Sequence, residues 1–170
     1  MIAVRVALVG LVVLLLQVCM VSQISVAGAR GNLVLLFAIA AALETDARRG
    51  AICGFALGLA FDLLLNTPAG LSALTMALVG YTVGSAKDLV LRSSRLINLA
   101  LVAVASAGGT LLYASIAVVL GVTVDPAELP AIVAVVAVVN VLLSTPLRWA
   151  LRWAFGPERQ TRRRDELVFR

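Results

Sequence analysis

At 170 residues, 62% of them hydrophobic and only 14% charged, the chain carries more apolar surface than a single soluble core of that length would bury. Its mean hydropathy of +1.06 and its long uncharged runs identify a polytopic membrane protein. A net charge of +5 and a pI near 10.2 do not make it a nucleic-acid binder, because the basic residues lie between and after apolar runs, where the cytoplasmic side of a bilayer accounts for them.

The first predicted span runs from Ile2 to about Val21. The uncharged run from Val6 to Ala29 exceeds the roughly 7 to 15 apolar residues of a signal-peptide core, which favours a retained helix over a cleaved leader. Cys19 follows Gln17 and Val18 rather than small residues, so it does not read as a lipoprotein site, and Cys19 and Cys53 both lie in apolar runs as small hydrophobes. Asn32 to Leu43 is only about twelve residues, short for crossing roughly 30 Å at 1.5 Å per residue. It either draws on residues from Val26 onward, giving a span of about 28–43, or stays a short helix shielded by the others. Glu44 to Arg49 is a charged turn.

The third span, about 50–65, organises the chain. Gly50, Gly54, Gly58 and Asp62 recur every four residues and form one helical ridge, three members of which have no side chain. Such a strip lets a partner helix approach to backbone contact, which in lipid replaces the missing hydrophobic drive between helices. The ridge reads as an inward-facing docking surface, because an ionised Asp62 facing acyl chains would cost roughly 2.5 kcal/mol or more.

Asn66 to Gly70 is a turn in which Thr67 can cap the next helix and Pro68 can take its first position, so the fourth span is placed at about 68–86, with Gly80 and Gly84 as a further close-packing pair. After a charged loop the fifth span covers about 96–124, with Ser106, Thr110 and Tyr113 on one inward face. Asp125-Pro126-Ala127-Glu128 reads as the start of the sixth, about 128–147, with Pro146 expected to kink or end it. Asn140 and Ser144 are expected to bond between helices, a contact of about 0.6 kcal/mol, in preference to holding a ligand. Trp149 and Trp153, beside Arg148 and Arg152, form a membrane-interface anchor, and Gly156-Pro157 is expected to stop the helix before a basic cytoplasmic tail, 157–170.

Six spans in one membrane domain, 1–156, with both termini cytoplasmic place thirteen of the fourteen basic residues inside and only Arg30 outside. The positive-inside rule favours this all-α arrangement over one with five spans. The chain has no histidine, no paired intramembrane carboxylates, no metal-ligand spacing and no phosphate-cradling glycine loop, so no catalytic residue, metal or cofactor is expected. For Asp62 two readings stand: a structural acid bonding the Asn66-Thr67 turn or Arg30, which is favoured because it lies near the outer interface, and a functional group in an inter-subunit cleft.

Arg49-Gly50, Gly54, Gly58-Leu59, Asp62, Pro68, Gly70-Leu71-Ser72-Ala73 and Gly80-Tyr81, in this order and spacing, resemble the MreD family of rod shape-determining membrane proteins. The resemblance implies a non-enzymatic component of the bacterial elongation machinery in the cell membrane. Its implied partners are the membrane-anchored coiled-coil protein MreC, the actin-like MreB, and a SEDS glycosyltransferase with its class B penicillin-binding protein, with membrane lipids around it. It also implies a fold similar to the substrate-binding subunits of energy-coupling-factor transporters. That similarity supplies the competing expectation, a vitamin-binding transporter subunit whose Ala3 and Ala7 would meet a coupling partner. A vitamin pocket, however, needs several convergent polar or aromatic groups, and the outer halves of the spans offer few.

Overall fold

The computed structural model describes residues 2–21, 31–65, 70–90, 95–122 and 125–168. Six helices dominate them, with no strand among the described residues: α1 (Ile2–Leu16), α2 (Leu33–Glu44), α3 (Ala47–Leu65), α4 (Leu71–Val90), α5 (Arg95–Val119) and α6 (Leu129–Val168).

Helix α2 is the hub. All 12 of its residues are buried, as a helix apolar on every side must be, and it touches each of the other five. Those five form a ring in the order α1, α3, α4, α5, α6 and back to α1, closed by good contact everywhere except between α1 and α3, which barely meet. At about 18 Å, α2 is too short to cross about 30 Å of hydrocarbon alone. It starts at Leu33 rather than near residue 28, because two side chains fix its N-terminus there. Asn32 Oδ1 accepts from Leu35 N at 2.9 Å, and Gln17, in the π-helical turn that ends the first helix, accepts from Leu33 N at 2.7 Å while donating to Gly31 O at 3.0 Å.

The pattern of burial is that of a membrane protein. The residues that α3 buries are Gly50, Gly54, Gly58 and Asp62, while Ile52 and Phe55 on the same helix are exposed. Leu11, Leu111 and Leu142 are exposed as well, an arrangement water would penalise and acyl chains welcome. Three segments are long and apolar enough to cross a membrane by themselves, Ile2–Cys19, Leu96–Val119 and Leu129–Gly156.

Several predicted boundaries shift for identifiable reasons. Helix α4 begins at Leu71 and not at Pro68, because Gly70 takes a left-handed φ of 100° that no α-helix can include. Pro68, Asn66, Thr67 and Arg30 lie outside the described residues. Helix α5 ends at Val119 rather than near 124. Gly121, at φ 80°, makes a Schellman stop there, with Val122 N donating to Ala117 O at 2.9 Å and Gly121 N to Val118 O at 3.0 Å. Helix α6 neither ends at Pro146 nor stops at Gly156-Pro157, but runs unbroken for 40 residues. Proline's fixed φ is compatible with helix, so each proline forfeits a hydrogen bond without forcing an end. Beyond Pro146, Leu151, Ala154 and Phe155 are buried and hold the helix against its neighbours.

Candidate functional site

The glycine ridge of α3 is filled from within the same chain. A Cβ placed on Gly54 would lie 2.5 Å from Met76 O, and one on Gly58 2.8 Å from Ser72 O. From the other side, a Cβ on Gly80 would lie 2.5 Å from Gly50 O, and Gly84 would meet Ala47 Cα. These obstacles are backbone atoms, which cannot step aside as a side chain can. Helix α2 presses on the same ridge: a Cβ on Gly54 would be 3.0 Å from that of Ala38, and one on Gly50 2.5 Å from that of Ala42. The ridge expected to dock a partner is thus the junction of α2, α3 and α4. Gly70 is no part of it. Its added Cβ would meet nothing within 4 Å, and its positive φ makes it a turn glycine.

Asp62 finishes the seam. It is 1% exposed, and its carboxylate accepts from Gly70 N at 3.0 Å, from Ser72 N at 3.1 and 3.0 Å through its two oxygens, and from Ala73 N at 3.2 Å. The end of α3 therefore supplies the N-terminal cap of α4, satisfying donors that the first helical turn leaves open and placing negative charge where the helix dipole favours it. A structural acid was the favoured expectation for Asp62. Its described donors are the amides of Gly70, Ser72 and Ala73, and the expected partners Asn66, Thr67 and Arg30 lie outside the described residues.

A second buried acid was missed. Glu44, read as part of a charged turn, is 3% exposed at the last position of α2. Arg148 Nε donates to its Oε1 at 2.9 Å, and Arg152 Nε lies 3.3 Å from both carboxylate oxygens. Arg148 and Arg152, four apart on α6 and expected as interface anchors, thus turn one helical face toward the hub. The signal was there to combine: a lone acid closing an all-apolar helix, and two arginines at helical spacing. Two guanidiniums on one carboxylate leave this end of the ring with a surplus positive charge. Trp149 and Trp153 face outward, 74% and 58% exposed, and the Arg5 guanidinium carbon sits 5.1 Å from the Trp153 ring centroid, a cation–π contact from α1 to α6.

Between α5 and α6, Asn140 Nδ2 donates to Ser106 Oγ at 2.9 Å with both residues fully buried, while Asn140 Oδ1 has no protein partner. Ser144 bonds within its own helix, to Val141 O at 2.6 Å, as Thr110 does to Ser106 O at 2.8 Å. Cys19 and Cys53 are free thiols, and no group of three or more potential metal ligands occurs among the described residues.

The model of one protein family, rod shape-determining protein MreD, matches residues 2–152. The chain belongs to the MreD family. The match takes in the α3–α4 seam, Asp62, Glu44 and both arginines that hold it, and stops one residue short of Trp153. A rod shape-determining role follows from that membership. No curated protein and no solved structure matches the chain.

The structure brings Gly50, Gly54, Gly58, Gly80, Gly84 and Asp62 together along one seam, and places Arg148, Arg152, Trp149 and Trp153, the last just past the matched residues, midway along α6. The glycine seam runs the length of α3, and Asp62 closes it at the end far from Glu44, since α3 runs from the turn beside Glu44 to just past Asp62. Gln17 and Glu44 are the residues that sequence reasoning did not place.

Proposed function

We propose that this chain is a non-catalytic, multi-pass component of the bacterial cell-elongation complex in the cell membrane, helping to assemble or regulate lateral peptidoglycan synthesis and so to maintain rod shape. The observation that carries the reading is the family match over residues 2–152. The interior supports it, because the buried polar groups Asp62, Glu44, Ser106 and Asn140 bond helix to helix instead of converging on a shared cavity. Its partners in this reading are an MreC-like protein, a SEDS glycosyltransferase with its class B penicillin-binding protein, and an MreB-like actin. The membrane domain is 1–156, crossing six times with both ends and the 157–170 tail in the cytoplasm. The fold is similar to the substrate-binding subunits of energy-coupling-factor transporters. The segregation of basic residues supports that orientation.

A vitamin-binding role draws less support. The cavity of about 650 Å³ beside α3 is lined by apolar side chains apart from Arg49 and Cys53, whereas a vitamin needs several convergent polar groups. Removing the chain from a rod-shaped host should round the cells and scatter newly labelled lateral wall, and the tagged chain should co-purify with an MreC-like protein. Unchanged rods would sink the proposal. A vitamin panel should leave the melting temperature of the purified chain unmoved, since a true ligand at 100 times its Kd would add about 2.7 kcal/mol.

A further inference from the structure

On the side of α3 away from α4, α1 and α3 diverge and leave a groove of about 650 Å³. Gln17 ties the end of α1 to the start of α2, and α3 sets out from the end of α2, so α1 and α3 run parallel with their N-termini together. The groove extends along α3 from Arg49 to Ala60, about 17 Å at 1.5 Å per residue. One leaflet of hydrocarbon is about 15 Å deep, half of about 30 Å. Ala7 and Gly10 on α1 and Ala56 and Ala60 on α3 line it beside larger apolar side chains such as Leu11 and Ile52, and Phe37 of α2 also lines it. At about 17 Å the groove is little more than half the roughly 30 Å that a transmembrane helix spans, a length that suits a hydrocarbon tail confined to one leaflet.

Charge marks only one end. Arg49 lines the groove at the N-terminus of α3, its side chain 47% exposed, its Nε 4.0 Å from Asp46 Oδ2 and its backbone N donating to Asp46 Oδ1 at 2.9 Å. Phe155 of α6 also lines the groove, one turn from Arg152, half of whose side chain is exposed beside the doubly shared Glu44. The groove is therefore apolar over the depth of one leaflet and positive where that leaflet's headgroups lie. We infer that it holds one acyl chain of an anionic glycerophospholipid, with the lipid phosphate against Arg49. This rests on the membrane-embedded reading above.

The test is native mass spectrometry of the full chain extracted from membranes and offered phosphatidylglycerol and phosphatidylcholine in equal amounts. Phosphatidylglycerol should be retained about fivefold over phosphatidylcholine, the equivalent of about 1 kcal/mol for one basic side chain at the surface. Arg49→Gln should bring the two to parity. Ala56→Phe, at an exposed position lining the groove, should lose both lipids while the protein stays folded. Equal retention by the unaltered chain, or undiminished retention by Ala56→Phe, would overturn the inference. So would displacement of the lipid by inorganic phosphate alone, which would leave only an anion site. An Ala56→Phe chain that kept its lipid but lost a co-purifying protein would assign the groove to a partner helix instead. A chain absent from the membrane fraction would remove the embedded reading itself, whereas an embedded chain without lipid preference would remove only the lipid.

Discussion

Helix α3 is bordered by two seams that both contain small residues, and only one of them is closed. Toward α4, Gly54 and Gly58 meet backbone oxygens at distances no Cβ could share. Toward α1, the walls hold Ala7, Gly10, Ala56 and Ala60, and yet the helices stand apart around a groove of about 650 Å³. The wedge is visible: a Cβ on Gly10 would meet Leu57 Cδ1 at 3.2 Å and the Phe37 ring at 3.5 Å, so two large side chains hold α1 off. The closed seam also has a fastener, the Asp62 carboxylate on the first amides of α4. Small residues permit close approach without enforcing it. What the flanking side chains do decides whether two helices meet.

The strongest way to break this comparison is Gly54→Leu against Ala56→Leu. The first drives a branched side chain into Met76 O and should lose more than about 4 kcal/mol, enough to unfold a marginally stable protein. The second points into the open groove and should change stability by less than about 0.5 kcal/mol. Thermal unfolding in detergent with size-exclusion monitoring reads both, and equal behaviour would erase the distinction between the seams.

Next comes the end of the ring nearest the open seam. Glu44→Ala should lose about 3 to 5 kcal/mol, because it strands the partly buried Arg148 beside Arg152. Glu44→Gln, which keeps an acceptor, should lose less in the same melt. Asp62→Leu unfastens the closed seam by leaving the amides of Gly70, Ser72 and Ala73 without their acceptor, at a cost of about 3 kcal/mol, and Asp62→Asn should be milder because one amide oxygen remains. An Asp62→Leu chain as stable as the parent would show that the glycines alone close the seam.

The α5–α6 contact should respond far less. Asn140→Ala removes one hydrogen bond to Ser106, expected at about 0.6 kcal/mol, and the amide oxygen it also removes has no protein partner to strand. Smallest of all is Gly108→Ala, where an added Cβ meets nothing within 4 Å and the change should stay within about 0.5 kcal/mol. Its neighbour Gly109, whose Cβ would lie 2.7 Å from Leu35 Cδ1, should be measurably less tolerant. Reversal of that order in a paired melt would mean that α5 is rotated from the position described.

Much of this was legible in the chain because it is periodic. A helix repeats every 3.6 residues, so glycines four apart must share a face, and Asp62 at the fourth step must share it too. The apolar runs dictated helices and a membrane, since hydropathy is a property of segments and needs no knowledge of neighbours. The motif around these residues also carried the family resemblance. What lay beyond the sequence was pairing across distance. Nothing local in Glu44 separates a solvated turn from a buried clamp, because its partners on α6 come 104 and 108 residues later. Nothing local in Gln17 says that it caps a helix beginning at Leu33. The small residues of α1 and α3 gave no sign of which seam would close, as that depended on where Leu57 and Phe37 came to rest. Repeats along one helix are settled by backbone geometry, whereas the choice of partner for a charge or a bare face is settled only when helices far apart in the chain pack together.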